Sequence, residues 1–235
     1  MLTPKERIYV EELLDVGAGT DEDVARSLAD LRRINRYLGG AAAVIRALGA
    51  ELLRDGVERV SILDVGTGSA DIPSLVFSWC LARGVQARVV ALDISERNLR
   101  VARERLGVNP AIELLRADAL NLPFAAGSFD YVIASLFLHH FREEDCVKLL
   151  VEFARVARRA IMINDLVRNL VPYYFIRFGW PLFARSFLTR HDGPVSVLRG
   201  FTSIELEEIA RRAGLVRFCV ERRFPYRLVL VARVD

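Results

Sequence analysis

The feature that most constrains this chain is an apolar, β-branched run that stops at a glycine-rich turn. Val60-Ser-Ile-Leu-Asp-Val65 reads as a short buried strand, and Gly66-Thr-Gly68-Ser-Ala70-Asp71 follows it. A helical stretch, Ile72–Arg83, comes next. Glycines between a strand and a helix let the backbone turn tightly and approach a ligand where a Cβ would intrude. Such turns are common, so the surrounding residues must say what this one serves.

The same alternation continues down the chain. Arg88–Asp93, Ile112–Arg116, Tyr131–Ser135 and Ala160–Asn164 are further strand candidates. Helical stretches lie between them at Ser95–Leu106, with Ser95 as cap, and at Glu143–Arg155. Strand-helix alternation predicts right-handed crossovers and a parallel sheet. After a helix at Ser203–Ala213, strands at Val216–Glu221 and Tyr226–Arg233 are too close together to be anything but an antiparallel hairpin. The first ~55 residues read as helical. Thr20 caps a helix with Asp23 three residues on, and Val24, Leu28, Leu31, Ile34 and Leu38 share a face. Gly39-Gly40 ends that run, and Ala42–Leu53 forms a second helix.

The chain has 235 residues, room for one large α/β domain, or a domain plus a small cap. A hydrophobic fraction of 52% and a charged fraction of 27% describe a soluble globular protein. The net charge of +3 is split into about −4 for residues 1–150 and about +7 for residues 151–235. The arginines of the basic third are scattered, which fits a solvated surface better than a nucleic-acid site. Cys80, Cys146 and Cys219 form no C-x-x-C pair and no cluster with histidine, so neither a disulfide framework nor a cysteine zinc site is expected, and no metal ligand set is read from the sequence. Pro4-Lys5-Glu6-Arg7 does not open a secretory signal, and no run approaches roughly 18 apolar residues, so a cytoplasmic protein without a membrane span is expected.

Position 71 narrows the ligand of the glycine turn. A dinucleotide fingerprint starting at Gly66 needs glycine where this chain has Asp71, and a pyrophosphate on that helix start would face a carboxylate. A ligand without phosphates, carrying a sulfonium and an ammonium, has no such conflict. Asp93 ends the second strand and is placed to accept ribose hydroxyls, a role shared by NAD and S-adenosyl cofactors. Asp118, after the third strand, either accepts from an adenine amine, with Ala119 supplying a backbone N–H, or caps a local turn. Asp71 and the closing hairpin disfavour an NAD-dependent oxidoreductase. A non-catalytic cofactor-binding subunit stays open, because cofactor motifs persist without chemistry.

Taken together these residues resemble the class I, seven-strand S-adenosylmethionine-dependent methyltransferases. The resemblance covers about residues 58–165 plus the hairpin, and includes Leu-Pro-Phe…Ser-Phe-Asp-Tyr-Val at 122–132. Ala70 departs from the pattern, since many members have a third glycine there. The resemblance implies a Rossmann-like, seven-stranded, mostly parallel α/β sheet with an antiparallel hairpin strand. It implies a helical cap at 1–56 and a methyltransferase domain at 57–235 with a substrate-cover insertion at 168–201. S-adenosylmethionine is the implied cofactor and S-adenosylhomocysteine its product. Asp64, Gly66 and Gly68 would hold the methionine moiety, Asp93 and Ile94 the ribose, and Asp118 and Ala119 the adenine. Ser135 would border the transferred methyl.

The acceptor side is read from histidines and aromatics. His139-His140 follow the fourth strand, where open α/β sheets carry their ligands, and either could serve as base or pack structurally. His191 precedes Asp192-Gly193, a pair explained equally by turn chemistry. No (Asp/Asn)-Pro-Pro-(Tyr/Phe) follows the fourth strand, and no cysteine follows proline, so a small molecule is favoured over nucleic acid as methyl acceptor. Seven of the chain's 21 aromatics fall between Leu170 and Leu188. They form either an apolar lid over an aromatic or prenylated acceptor, or a packing surface for the N-terminal helices or the second copy of a possible homodimer. The Asn164-Asp165-Leu-Val-Arg168 and Arg190–Thr202 stretches also look like small methyltransferases associated with bacterial type III polyketide synthases and, more distantly, quinone pathways. That likeness implies a hydroxylated aromatic or quinol-like acceptor, methylated at oxygen or carbon.

Overall fold

A computed structural model describes residues 4, 6–107, 109, 111–179 and 184–234. Five parallel strands form its centre: β1 (Arg59–Val65), β2 (Gln86–Asp93), β3 (Ile112–Arg116), β4 (Phe129–Ser135) and β5 (Ala157–Leu166). The hairpin strands are β6 (Arg217–Arg223) and β7 (Arg227–Arg233), and β7 lies antiparallel against β5. The sheet order is β3-β2-β1-β4-β5-β7-β6. Its direction of growth reverses between β1 and β4, and open α/β sheets hold their ligands in the crevice at such a switch point. The turn after β1 and the segment after β4 border that crevice.

Period-two alternation sends neighbouring residues of β1 to opposite faces. Ile62 packs with Leu48 and Leu52 of α2 (Gly40–Asp55), Val76 of α3 (Asp71–Leu81), and Val89 and Ile133. Leu63 packs with Leu149 and Phe153 of α5 (Glu143–Val156) and Leu206 and Ile209 of α8 (Ser203–Arg212). Every one of these side chains is at most 5% exposed, so both faces of the sheet are covered, as a parallel sheet requires. Ser95 accepts the Asn98 N–H and starts α4 (Glu96–Leu106). Thr20 and Asp23 form a reciprocal capping box at the start of α1 (Asp21–Tyr37).

Two segments differ from expectation. Residues 6–20 are not helical; they run as extended chain and turns, with Gly17 and Gly19 at φ +73° and +76°. Their partners come from far along the sequence: Asp192 accepts the N–H groups of Leu13 (2.8 Å) and Leu14 (3.1 Å). Asp192-Gly193 accordingly forms no turn but lies inside a helix, α7 (Phe187–Arg199), which packs on α6 (Leu170–Gly179). A Cβ on Gly193 would lie 2.9 Å from Ile176 Cγ2, so glycine there permits the close crossing. The aromatic segment therefore backs the N-terminal region. Ser27 and Thr189 hydroxyls meet at 3.0 Å, and the Asp30 carboxylate accepts the N–H groups of Arg185 and Ser186 at 2.7 and 2.8 Å. Trp180, Pro181 and Phe183 lie outside the described residues. Among those described, no helix is long and apolar enough to cross a membrane.

Candidate functional site

Gly66 and Gly68 adopt φ +71° and +55°, and Ala70, where a third glycine was absent, also sits in the left-handed region at φ +54°. The N–H groups of Gly66 and Thr67 both donate to Leu92 O at 2.9 Å, fixing the turn to the end of β2. A Cβ on Gly66 would lie 2.2 Å from the Phe137 ring, so the turn and the segment after β4 touch.

Asp93 ties this turn to α4. Its Oδ2 accepts the Gly68 N–H at 2.8 Å, while Oδ1 accepts the Ser95 N–H at 2.9 Å and Asn98 Nδ2 at 3.3 Å. A carboxylate has about four acceptor positions. The fold uses three of them, leaving one to accept from a ligand. Burial raises the Asp93 carboxyl above the usual carboxylate range, with the two backbone N–H bonds opposing that rise.

Asp64, at the end of β1, is 3% exposed, and burial pushes its carboxyl up to about 8, reinforced by the nearby charges of Asp71 and Asp93. Asp64 Oδ1 and Thr67 Oγ1 are buried without a hydrogen-bond partner among the described residues. They line a small cavity of about 70 Å³ together with Ser135 and Asn35. Ser135 accepts Asn164 Nδ2 at 2.8 Å. This cavity shares Gly66, Gly68, Leu28, Leu31 and Leu136 with a larger one of about 580 Å³. The larger cavity brings together Asp93, Ile94, Asp118, Ala119, His140, Phe137, Phe141 and Arg199. Its remaining cover comes from Glu11, Leu14, Asp15, Gly17 and Val24. Of the 168–201 segment only Arg199 is among the described lining residues, and the N-terminal segment supplies the described cover of the site. Asp118 keeps both readings: Oδ1 caps the Leu120 N–H at 2.9 Å, and the residue is exposed to the cavity.

The three histidines part company. His140 lines the large cavity, with Nδ1 2.7 Å from Asp15 Oδ2. His139 stacks behind it, ring centroids 4.2 Å apart, 2% exposed, with Nδ1 2.6 Å from Asp165 Oδ1. Burial alone would lower the His139 value; the Asp165 and Glu12 carboxylates outweigh it and raise it to about 9. His191 is paired with Asp192 at 2.9 Å on α7 and lines neither cavity. Arg199 binds this wall together, donating to the carbonyls of His139 (3.0 Å) and Val10 (2.9 Å).

Several of these residues had no signal in the sequence. Asn35, Glu12, Asp15 and Asn98 carry no motif, and only tertiary packing brings them to the crevice. Asp165 and Arg199 stand in stretches already noticed, without a role assigned.

Residues 62–160 match the family model described as a methyltransferase domain. Over that stretch the chain is similar to the methyltransferase domain, in line with the class I S-adenosylmethionine-dependent resemblance carried by its residues. A demethylmenaquinone methyltransferase of Staphylococcus epidermidis is 31% identical over 138 residues, covering 53% of this chain and 53% of that one. One from Bacillus cereus is 28% identical over 186 residues, covering 70% and 77%. The chain thus spans about half the length of the first of these curated relatives. Human N-acetylserotonin methyltransferase in complex with S-adenosylmethionine superposes with a TM-score of 0.66 at 14% identity, covering 96% of this chain and 62% of that one. An S-adenosylmethionine-dependent methyltransferase from Aquifex aeolicus gives 0.57 at 20% identity, covering 79% and 89%. At these identities the two structures speak for the fold alone.

Proposed function

We propose that this chain binds S-adenosylmethionine between the β1 turn and α4 and methylates a small hydroxylated aromatic or quinol-like acceptor in the 580 Å³ cavity. One observation carries the reading. The cavity joins the cofactor constellation to a second wall of His140, Asp15, Phe137 and Phe141, leaving acceptor space against the cofactor subsite. The buried, unpartnered Asp64 oxygen fits the cofactor's ammonium, and an anionic phosphate there would meet Asp64, Asp71 and Asp93 together.

The cofactor supplies an electrophilic methyl on a sulfonium. The acceptor's oxygen or carbon forms the new bond to methyl as the methyl–sulfur bond breaks, and sulfur keeps the electron pair. The protein's part is to hold the two in line and exclude water. Asp93 would hold the ribose, Ile94 and Ala119 would flank the nucleoside, and Asp118 would hold the adenine amine. Ser135, held by Asn164, would border the methyl. The acceptor's proton leaves toward the hydrogen-bonded His140–Asp15 pair. The demethylmenaquinone relatives favour a quinol-like acceptor; the polyketide likeness rests on this chain's residues alone.

Calorimetry with S-adenosylhomocysteine and turnover against a panel of phenols and quinols test the reading. Binding and product are expected. His140→Ala is expected to lower turnover by about 10²–10⁴-fold while cofactor affinity stays near wild type. Absence of S-adenosylhomocysteine binding overturns the cofactor assignment. A fully active His140→Ala protein removes that residue from the chemistry.

A further inference from the structure

We propose that Glu12, His139 and His140 bind a zinc-class divalent ion at the wall of the large cavity. A ligand atom from each of the three lies within 4.8 Å of the others. Glu12 and His139 are buried and His140 is partly exposed, so the group opens on one side only. The His139 separation is that of ligands sharing an ion, and the His140 one is a few tenths of an ångström longer, so binding would draw His140 inward. His139 Nε2 stands 3.6 Å from Glu12 Oε1, and His140 Nδ1 stands 4.0 Å from Glu12 Oε2. Ligand bonds of about 2.0–2.2 Å at tetrahedral angles put neighbouring ligand atoms roughly 3.3–3.6 Å apart.

His139 Nδ1 is held by Asp165 at 2.6 Å, while Nε2 stands 3.6 Å from Glu12 Oε1, the oxygen that also accepts the Ser196 hydroxyl at 2.8 Å. The Asp165 contact is an independent observation. It holds Nδ1 and leaves Nε2 facing Glu12, the carboxylate–histidine arrangement that orients metal-binding imidazoles. Asp15 Oδ2, 2.7 Å from His140 Nδ1 and paired with Arg199 at 3.7 Å, would give up that hydrogen bond when an ion binds. Two imidazoles with one carboxylate are the ligand set of catalytic zinc, with a fourth position left open. An ion there would polarise an acceptor oxygen, and Asp15, released from His140, would then receive the acceptor's proton. This catalytic role rests on the proposed methyl transfer; the binding does not.

The test uses the full chain stripped with a chelator and titrated with Zn²⁺ and, for its visible bands, Co²⁺. One equivalent is expected to bind. Glu12→Gln and His140→Ala are expected to weaken it at least tenfold, while His191→Ala leaves it unchanged. Asp165→Asn, which removes no ligand, is expected to weaken binding by about 10–100-fold. S-adenosylhomocysteine binding, measured on each variant, reports folding and tests the cofactor site separately. Two results overturn the proposal: no stoichiometric ion on the wild-type protein, or wild-type affinity in a folded His140→Ala variant.

Discussion

Asp64 is a buried acid whose Oδ1 has no hydrogen-bond partner among the described residues. Its carboxyl, at about 8, lies far above the ~3.9 of an unfolded chain. The free fold therefore holds a proton that the unfolded chain releases. The sign follows: the contribution to stability is fully present below about pH 4 and is lost as pH rises through about 8. Asp64→Asn is expected to raise the melting temperature of the cofactor-free protein at pH 8.5 by about 2–4 °C, the effect of ~1 kcal/mol in a domain of this size. The same change is expected to weaken S-adenosylmethionine binding at least tenfold at that pH. Affinity in the wild type is expected to climb between pH 6 and 8.5 and to stay flat in the variant. Calorimetry across that range decides the matter, and a flat wild-type profile would remove Asp64 from the ammonium site.

Among the elements, the α6–α7 pair is the brace that holds the site's cover in place. Asp192 accepts two N–H groups from residues 13 and 14 and sits beside the glycine that lets α6 approach. Asp192→Ala leaves both donors unpaired, a cost of about 1–3 kcal/mol for each one kept from water. Faster proteolysis and amide exchange within residues 6–20 are expected, with the sheet's protection unchanged. The central elements were legible because their signals are local. Val60–Val65, Ser95 and the hairpin around Arg222–Pro225 each declare their structure within a few residues. Residues 6–20 were misread because their acidic, turn-prone sequence takes its conformation from α7, almost two hundred positions on. The aromatics of 170–188 left lid and packing surface both open for the same reason, since composition cannot tell which apolar surface they meet. The residues proposed for the cofactor stand at strand ends, where sequence points to them; the Glu12 and Asp15 wall was not legible, because nothing in sequence joins it to His140.

At the scale of the molecule, one sheet supplies the floor of the site and the chain's opening segment supplies its roof. The two are joined by long-range bonds such as Arg7 Nε to Arg199 O at 2.8 Å and Arg97 to the Gly17 and Gly19 carbonyls at 3.0 and 2.8 Å. Deleting residues 1–19 is expected to leave the far-ultraviolet circular dichroism of the sheet in place. Dissociation of S-adenosylhomocysteine should accelerate at least tenfold, as stopped-flow measurement would show. An unchanged rate would mean that the floor alone retains the cofactor.

The order β5-β7-β6 also bears on how the chain is made. On the ribosome β6 emerges before β7, yet β7 is the strand that must lie between it and β5. Until β7 arrives, β6 has no place in the sheet and β5 presents an open apolar edge, with Ile161 and Ile163 ready to pair with any strand that passes. That open edge is an aggregation-prone surface for as long as β7 is unmade. Synonymous codons that slow the ribosome across 217–233 should lengthen that interval and lower the soluble yield.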